Sequence, residues 1–236
     1  MTNKFEFFKH FNQATRNSQM TSIVIVLISA SLSAAQLPPE ALAQIGPITI
    51  KQQPPVDALL ERLAQSDPSS LKRDVTGNVV SLNVYRSAVN DENLHLISGL
   101  QSILALHLQC PAQNLTKEGI RFIGNLTNLE SLTLACMGQL KGGVFEEISK
   151  LQSLHRLTLS QTCPPVEEFP SIVRLKLIEL AVDHCESFSD KQLTVLTNVT
   201  TLKSIELVWT SVSPTGTNIL SCFPAMTNAR VLLRDK

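Results

Sequence analysis

Aromatic residues are scarce in this chain: one Trp, one Tyr and nine Phe stand among 236 residues. An ordinary core must therefore be filled by aliphatic side chains, chiefly leucine. Net charge is lacking too. Twenty basic side chains balance twenty acidic ones, and residues 1–35 hold three of the basic and one of the acidic, which leaves 17 against 19. Neutrality in either form removes the long-range attraction that nucleic acids and anionic membranes rely on, so neither is an expected partner. The usual motifs of chemistry are missing as well. There is no CxxC, no Cys/His zinc spacing, no HExxH, no GxSxG and no glycine-rich phosphate loop. No metal, cofactor or catalytic group is expected, and the chain does not read as an enzyme. Asp183-His184-Cys185 has catalytic residue types, but neighbours on a strand point to opposite faces, which argues against a relay.

The N-terminus reads as an export signal. Lys4, Lys9 and Arg16 precede an uncharged run, Thr21 to Ala35. That run is short for a membrane span of ~20 residues and suits a signal h-region. Residues 1–35 are thus expected to be a signal peptide or an uncleaved anchor, the one expected route to a membrane. A secreted, periplasmic or cell-envelope location follows. Residues 36–55 carry Pro38, Pro39, Pro47, Pro54 and Pro55 and read as a linker. Residues 56–78 read as an N-terminal cap. Val56, Leu59, Leu60 and Leu63 have helical spacing, Ser66-Asp67-Pro68 ends the helix, and Gly77 marks a hairpin.

From residue 79 to the end one form recurs, L-x-x-L-x-x-L-x-L. Its third anchor falls at Leu82, Leu106, Leu132, Leu157, Leu180, Ile205 and Val231, in steps of 24, 26, 25, 23, 25 and 26 residues. That period is the signature of leucine-rich repeats. The L-x-L step sends both leucines to one side of a short strand, and no single strand can bury them alone. Stacked turns bury them together. The expected fold is an α/β leucine-rich-repeat solenoid: a curved parallel sheet of about seven strands, with short helical or irregular return segments. Asn90-Asp91, Thr116, Ser189 with Gln192, and Ser213-Pro214 mark helix starts in the returns.

The stretch Val89-Asn90-Asp91-Glu92-Asn93-Leu94, repeated as Phe188-Ser189-Asp190-Lys191-Gln192-Leu193, resembles secreted bacterial leucine-rich-repeat proteins of the planctomycete type. The resemblance covers residues 56 to 233 and is similar in form to the ribonuclease-inhibitor-like, cysteine-containing class. It implies no catalytic residue. The sequence departs from it in the middle: Met137 to Lys150 and Cys163 to Arg174 lack the Asp. Pro164, Pro165 and Pro170 discourage a regular helix there, so irregular or 3₁₀ returns are expected.

With the leucines inward, the alternating residues form a concave face. Its middle is small and nearly uncharged. The expected binding residues on it are Tyr85, Arg86, His107, Arg156, Glu179, Asp183, Glu206 and Trp209. Arg86 lies toward one end and the carboxylates toward the other. The expected function is non-catalytic binding of a protein or other polymer outside the cytoplasm. Alternatives are a structural envelope component, or the substrate-reading repeats of a ubiquitin-ligase-like adaptor, although no F-box-like segment precedes the repeats. Five cysteines leave at least one unpaired within the chain. Cys110 and Cys136 hold one place in consecutive turns and are the candidate disulfide. Cys185 reads as structural, and Cys222 as lying on the apolar side of the last return. Val231-Leu232-Leu233 has little chain after it to cover the final turn, so edge pairing between copies, or fraying, is expected there.

Overall fold

The third and fourth anchors of each turn become the inward residues of a parallel strand, except that in the last strand Ala229 takes the third place opposite Ile205 and the expected anchor Val231 takes the fourth, opposite Leu207. The structure is a computed structural model describing residues 56–109, 116–139 and 143–233. The expected signal and linker, residues 1–55, lie outside the described residues. Helix α1 (Val56–Ser66) is followed by β1 (Leu71–Arg73), β2 (Val79–Tyr85), α2 (Asp91–Ile97), β3 (Ala105–Gln109), α3 (Lys117–Ile123), β4 (Ser131–Gln139) and α4 (Val144–Ile148). Then come β5 (Arg156–Cys163), a 3₁₀ turn (Val166–Glu168), α5 (Phe169–Ile172), β6 (Glu179–Asp183), α6 (Asp190–Leu196), β7 (Ser204–Val208), a 3₁₀ helix (Gly216–Cys222) and β8 (Asn228–Leu232). The strands form one eight-stranded sheet in sequence order. Strands β2 to β8 are parallel, while β1 pairs antiparallel with β2 through the Gly77 hairpin.

Leu82, Leu106, Leu132, Leu157, Leu180 and Ile205 lie on one unbroken line of paired positions. Each is 2% exposed or less. Burying one such side chain is worth roughly 1.5–3 kcal/mol, so the ladder is the principal source of stability. The returns supply the other wall, with Leu94, Ile97, Ile120, Ile123, Leu193 and Leu196 buried among the strand leucines.

The Asp of the repeat form joins neighbouring turns. Asp91 accepts from Thr116 N–H at 3.0 Å and from its hydroxyl at 2.6 Å. Asp190 does the same for Ser213, at 2.9 and 2.7 Å. Each carboxylate thus satisfies donors at the start of the next return. An alanine methyl at Gly216 would come within 1.9 Å of the Asp190 carboxylate and would push it from its place against Ser213. Two buried amides complete the form: Asn93 donates to Ala88 O at 2.8 Å and Gln192 to Ser187 O at 2.7 Å.

The Pro-rich middle solves the same problem differently. Glu168 reaches back and accepts from Gly143 N–H at 2.8 Å and Phe145 N–H at 3.2 Å. The fourth return is a 3₁₀ turn plus one turn of helix, in line with its prolines. The third, expected to be irregular, contains the short helix α4, entered through Gly143 at φ +80°. Glu168 supplies the N-terminal acceptor that the local sequence lacks. Phe145, Phe169 and Phe188, all fully buried, fill the room left by short helices. Their rings meet at 6.3 and 5.4 Å.

Candidate functional site: the outward sheet face

Three rows of side chains point away from the core. They are read across the strands from the pairing register. One row runs Ser81, Ala105, Ser131, Arg156, Glu179, Ser204, Asn228. The next runs Asn83, His107, Thr133, Thr158, Ala181, Glu206, Arg230. The third runs Tyr85, Gln109, Ala135, Ser160, Asp183, Val208, Leu232.

The charges on this face are largely matched to one another. Arg156 Nε donates to Glu179 Oε2 at 2.6 Å across adjacent strands. This bond, more than the bare charge, holds the Glu179 carboxyl below its ordinary pKa and raises that of Arg156. Arg230 donates to Glu206 at 2.7 Å. The carboxylates expected toward this end lie on β6 and β7, where Glu179 and Glu206 each face an arginine. Arg230, which is not among the expected binding residues, comes beside Glu206 through the β7–β8 pairing.

His107 tilts against Tyr85 with ring centroids 5.6 Å apart. Partial burial pushes the His107 pKa down, and a hydrogen bond with Gln109 opposes the shift. This end of the face is thus aromatic and uncharged apart from Arg86. Arg86 is exposed and forms no ion pair among the described residues.

Arg86 and Trp209 do not sit within the three rows. Each follows its strand by one residue and lies on the rim beside them. Arg86, Cys136, Gln161, His184 and Trp209 all have positive φ, between 48° and 59°. They hold the same place in successive turns. This left-handed kink is costly for residues with a Cβ, and it marks where β2, β6 and β7 end, while β4 and β5 run on past it. It also turns the side chain. His184 comes to the same side as Asp183, and its Nδ1 lies 2.5 Å from Asp183 Oδ1. The expectation that adjacency would hold these two apart is corrected by the kink. Ser160 donates to the other Asp183 oxygen at 3.1 Å. The hydroxyl meets the carboxylate and not the imidazole, so this is not the order of a nucleophile and its base. Trp209, 49% exposed, packs edge-on to His184 with centroids 4.2 Å apart. Ser160, Asp183, His184 and Trp209 therefore form one connected chain in which the aromatic is propped from behind.

The cysteines are arranged differently from the candidate pairing. Cys163 and Cys185 are joined as a disulfide, with Cα atoms 5.4 Å apart. Cys136 carries a free, exposed thiol, in contact with Gln161 at 3.4 Å and Gln109 at 3.7 Å. Cys110, its candidate partner, lies outside the described residues. Cys185 is fully buried, as a structural role requires. Cys222 is a free thiol at the surface and not on the apolar side. The last return is a 3₁₀ helix there, and Phe223 takes the interior place instead. Among the described residues no group of His, Cys, Asp and Glu is arranged to hold a metal ion. No described helix is long and apolar enough to cross a membrane.

No protein-family model matches the chain, and no curated protein matches it. Several solved structures are similar. One is the plant peptide hormone receptor RGFR1 in complex with RGF2, with TM-score 0.34, 15% identity, and coverage of 70% of this chain and 41% of that one. A second is an internalin (inlF) from Listeria monocytogenes, with TM-score 0.27, 14% identity, and coverage of 77% and 73%. A third is a TLR13–ssRNA13 complex, with TM-score 0.28, 16% identity, and coverage of 61% and 31%. This chain spans less than half the length of the first and third. Its own strand register defines the fold class: an α/β leucine-rich-repeat solenoid with seven parallel strands and one antiparallel edge strand.

Proposed function

We propose that this protein is a non-catalytic binding module, acting outside the cytoplasm, that holds a protein or other polymer ligand across its outward sheet face. The observation that carries this reading is the propped rim of Ser160, Asp183, His184 and Trp209. An exposed Trp held by hydrogen-bonded neighbours loses little freedom on binding, and such aromatics are favoured anchors. The apolar neighbours Val208 and Leu232 extend that contact, and Tyr85 with Arg86 offers a second anchor at the other end. Pairing of Arg156 and Arg230 with carboxylates leaves little free positive charge for a phosphate backbone, which favours a protein ligand over a nucleic acid. The Lys/Arg-bearing start with its apolar run supports export. The Cys163–Cys185 bond suits an oxidising compartment.

The test is affinity capture from the envelope and extracellular fractions of the producing cells. Wild-type protein is compared with Trp209→Ala and with Arg86→Ala, and proteins are quantified by mass spectrometry. Loss of an anchor should weaken retention of the main captured protein about tenfold or more. Equal retention by both variants, or retention abolished by nuclease, would contradict the proposal.

A further inference from the structure

The last strand offers a free edge whose hydrogen-bonding groups can be assigned residue by residue. Asn228 N–H donates to Lys203 O at 3.0 Å, and Leu232 O accepts from Trp209 N–H at 2.9 Å. Alternate residues of a strand direct their N–H and C=O to the same side. Asn228, Arg230 and Leu232 therefore bond toward β7. Ala229, Val231 and Leu233 direct theirs the other way, where no strand pairs with β8 among the described residues. The same three residues lie on the core side of the sheet, with Ala229 exposed and Val231 and Leu233 only half-buried. Among the described residues no strand partners either the backbone or the apolar row of this edge.

We infer that this edge pairs with the same edge of a second copy of the chain, antiparallel and centred on Val231. In that register Val231 faces its own counterpart, and Ala229 faces Leu233 of the second copy. All of them present free N–H and C=O groups to one another, and the apolar row continues across the join. Arg230 faces Leu232 of the second copy. Shifting the centre to Arg230 would also match the backbone, but it would set two arginines directly opposite, which is unfavourable. Docking of β8 onto the other end of a second copy, which would build a filament, is opposed by the far edge itself. Strand β1 is only three residues long, and Lys72 and Arg73 are exposed on it. Short, charged strands of this kind discourage addition. A closed twofold pair is left. A five-residue edge buries little surface, so the pair forms reversibly and depends on concentration.

Sedimentation of the full chain, in a non-ionic detergent that covers the Thr21–Ala35 run, tests this. Wild-type protein should pass from monomer to dimer as concentration rises. Leu232 is 43% exposed, so charge can be placed there without entering the core. Leu232→Arg would stand beside Arg230 of the second copy, twice per dimer, and should weaken association about tenfold. Leu232→Glu would face the same arginine and should strengthen it about threefold. Val231→Pro should abolish it. Hydrogen exchange should show the amides of Ala229, Val231 and Leu233 gaining protection with concentration, while those of Arg230 and Leu232 stay protected throughout. A wild-type monomer at every concentration, open-ended oligomers, or a dimer indifferent to the sign of charge at position 232 would overturn the inference.

Discussion

At the N-terminal end of the stack, helix α1 places Leu59, Leu60 and Leu63 over the first turn, and the antiparallel β1 closes the sheet edge. At the C-terminal end, β8 is exposed along most of its length, and only Val231 of its five residues is even half-buried. Both ends face the same physical problem, a terminal turn whose apolar row has a neighbouring turn on one side only among the described residues. One end solves it inside the chain with a helix and a hairpin. At the other, no described strand covers β8. In a solenoid each turn is stabilised mainly by its neighbours, so this difference should appear as a gradient of local stability.

The largest expected effect tests the gradient from both ends. Leu59→Ala empties a fully buried site in the cap and should cost about 3 kcal/mol, whereas Val231→Ala at the exposed edge should cost less than about 1 kcal/mol. Urea denaturation measures both. Equal losses would remove the distinction between the ends. Next in size is the Cys163–Cys185 bond, which closes a loop of 22 residues between the two ends. Reduction should lower stability by about 3 kcal/mol or somewhat less, and the C-terminal turns should loosen before the capped end does. Limited proteolysis with and without reductant would show this; simultaneous cleavage at both ends would contradict it.

Asp190→Ala comes third. It removes the acceptor for both Ser213 donors and should cost roughly 1–3 kcal/mol, with Ser213 N–H losing protection. The smallest effect is electrostatic. Glu179 has its pKa lowered, chiefly by the Arg156 hydrogen bond. Its contribution is complete above the ordinary carboxylate range and is lost as pH falls through the lowered value. Both side chains are about half exposed, at 55% and 46%, so the gain is below about 1 kcal/mol. Melting temperature against pH for Glu179→Gln should converge with wild type in acid. Curves that stay parallel would rule the pair out as a contributor.

The core was legible in the sequence because the leucine row obeys a simple period. Six of the seven expected anchors, Leu82 to Ile205, fall in register, whereas the seventh place is taken by Ala229 and Val231 stands two residues on, opposite Leu207. The Gly77 hairpin and the starts at Asp91 and Asp190 were legible for the same reason: each needs a particular residue type at one position. The Cys163–Cys185 bond was not legible. Its two residues hold different places in their turns, because β4 and β5 continue beyond the kink and pair again at Gly138 and Thr162. Counting from the leucines cannot register that extension. The rim was hidden as well. Strand alternation predicts that Asp183 and His184 diverge, and only the left-handed backbone at His184 brings them together. Likewise, the partners of Glu179 and Glu206 come from neighbouring strands, a relation that period alone does not reveal.

Residue-resolved native-state hydrogen exchange, run at low protein concentration, tests the graded stack most directly. The amides of β2 to β6 should share one high protection. Those of β7 should fall below it and those of β8 lower still, in the order of their distance from the cap. Protection in β8 equal to that in β2, at a concentration where the protein is monomeric, would contradict the account.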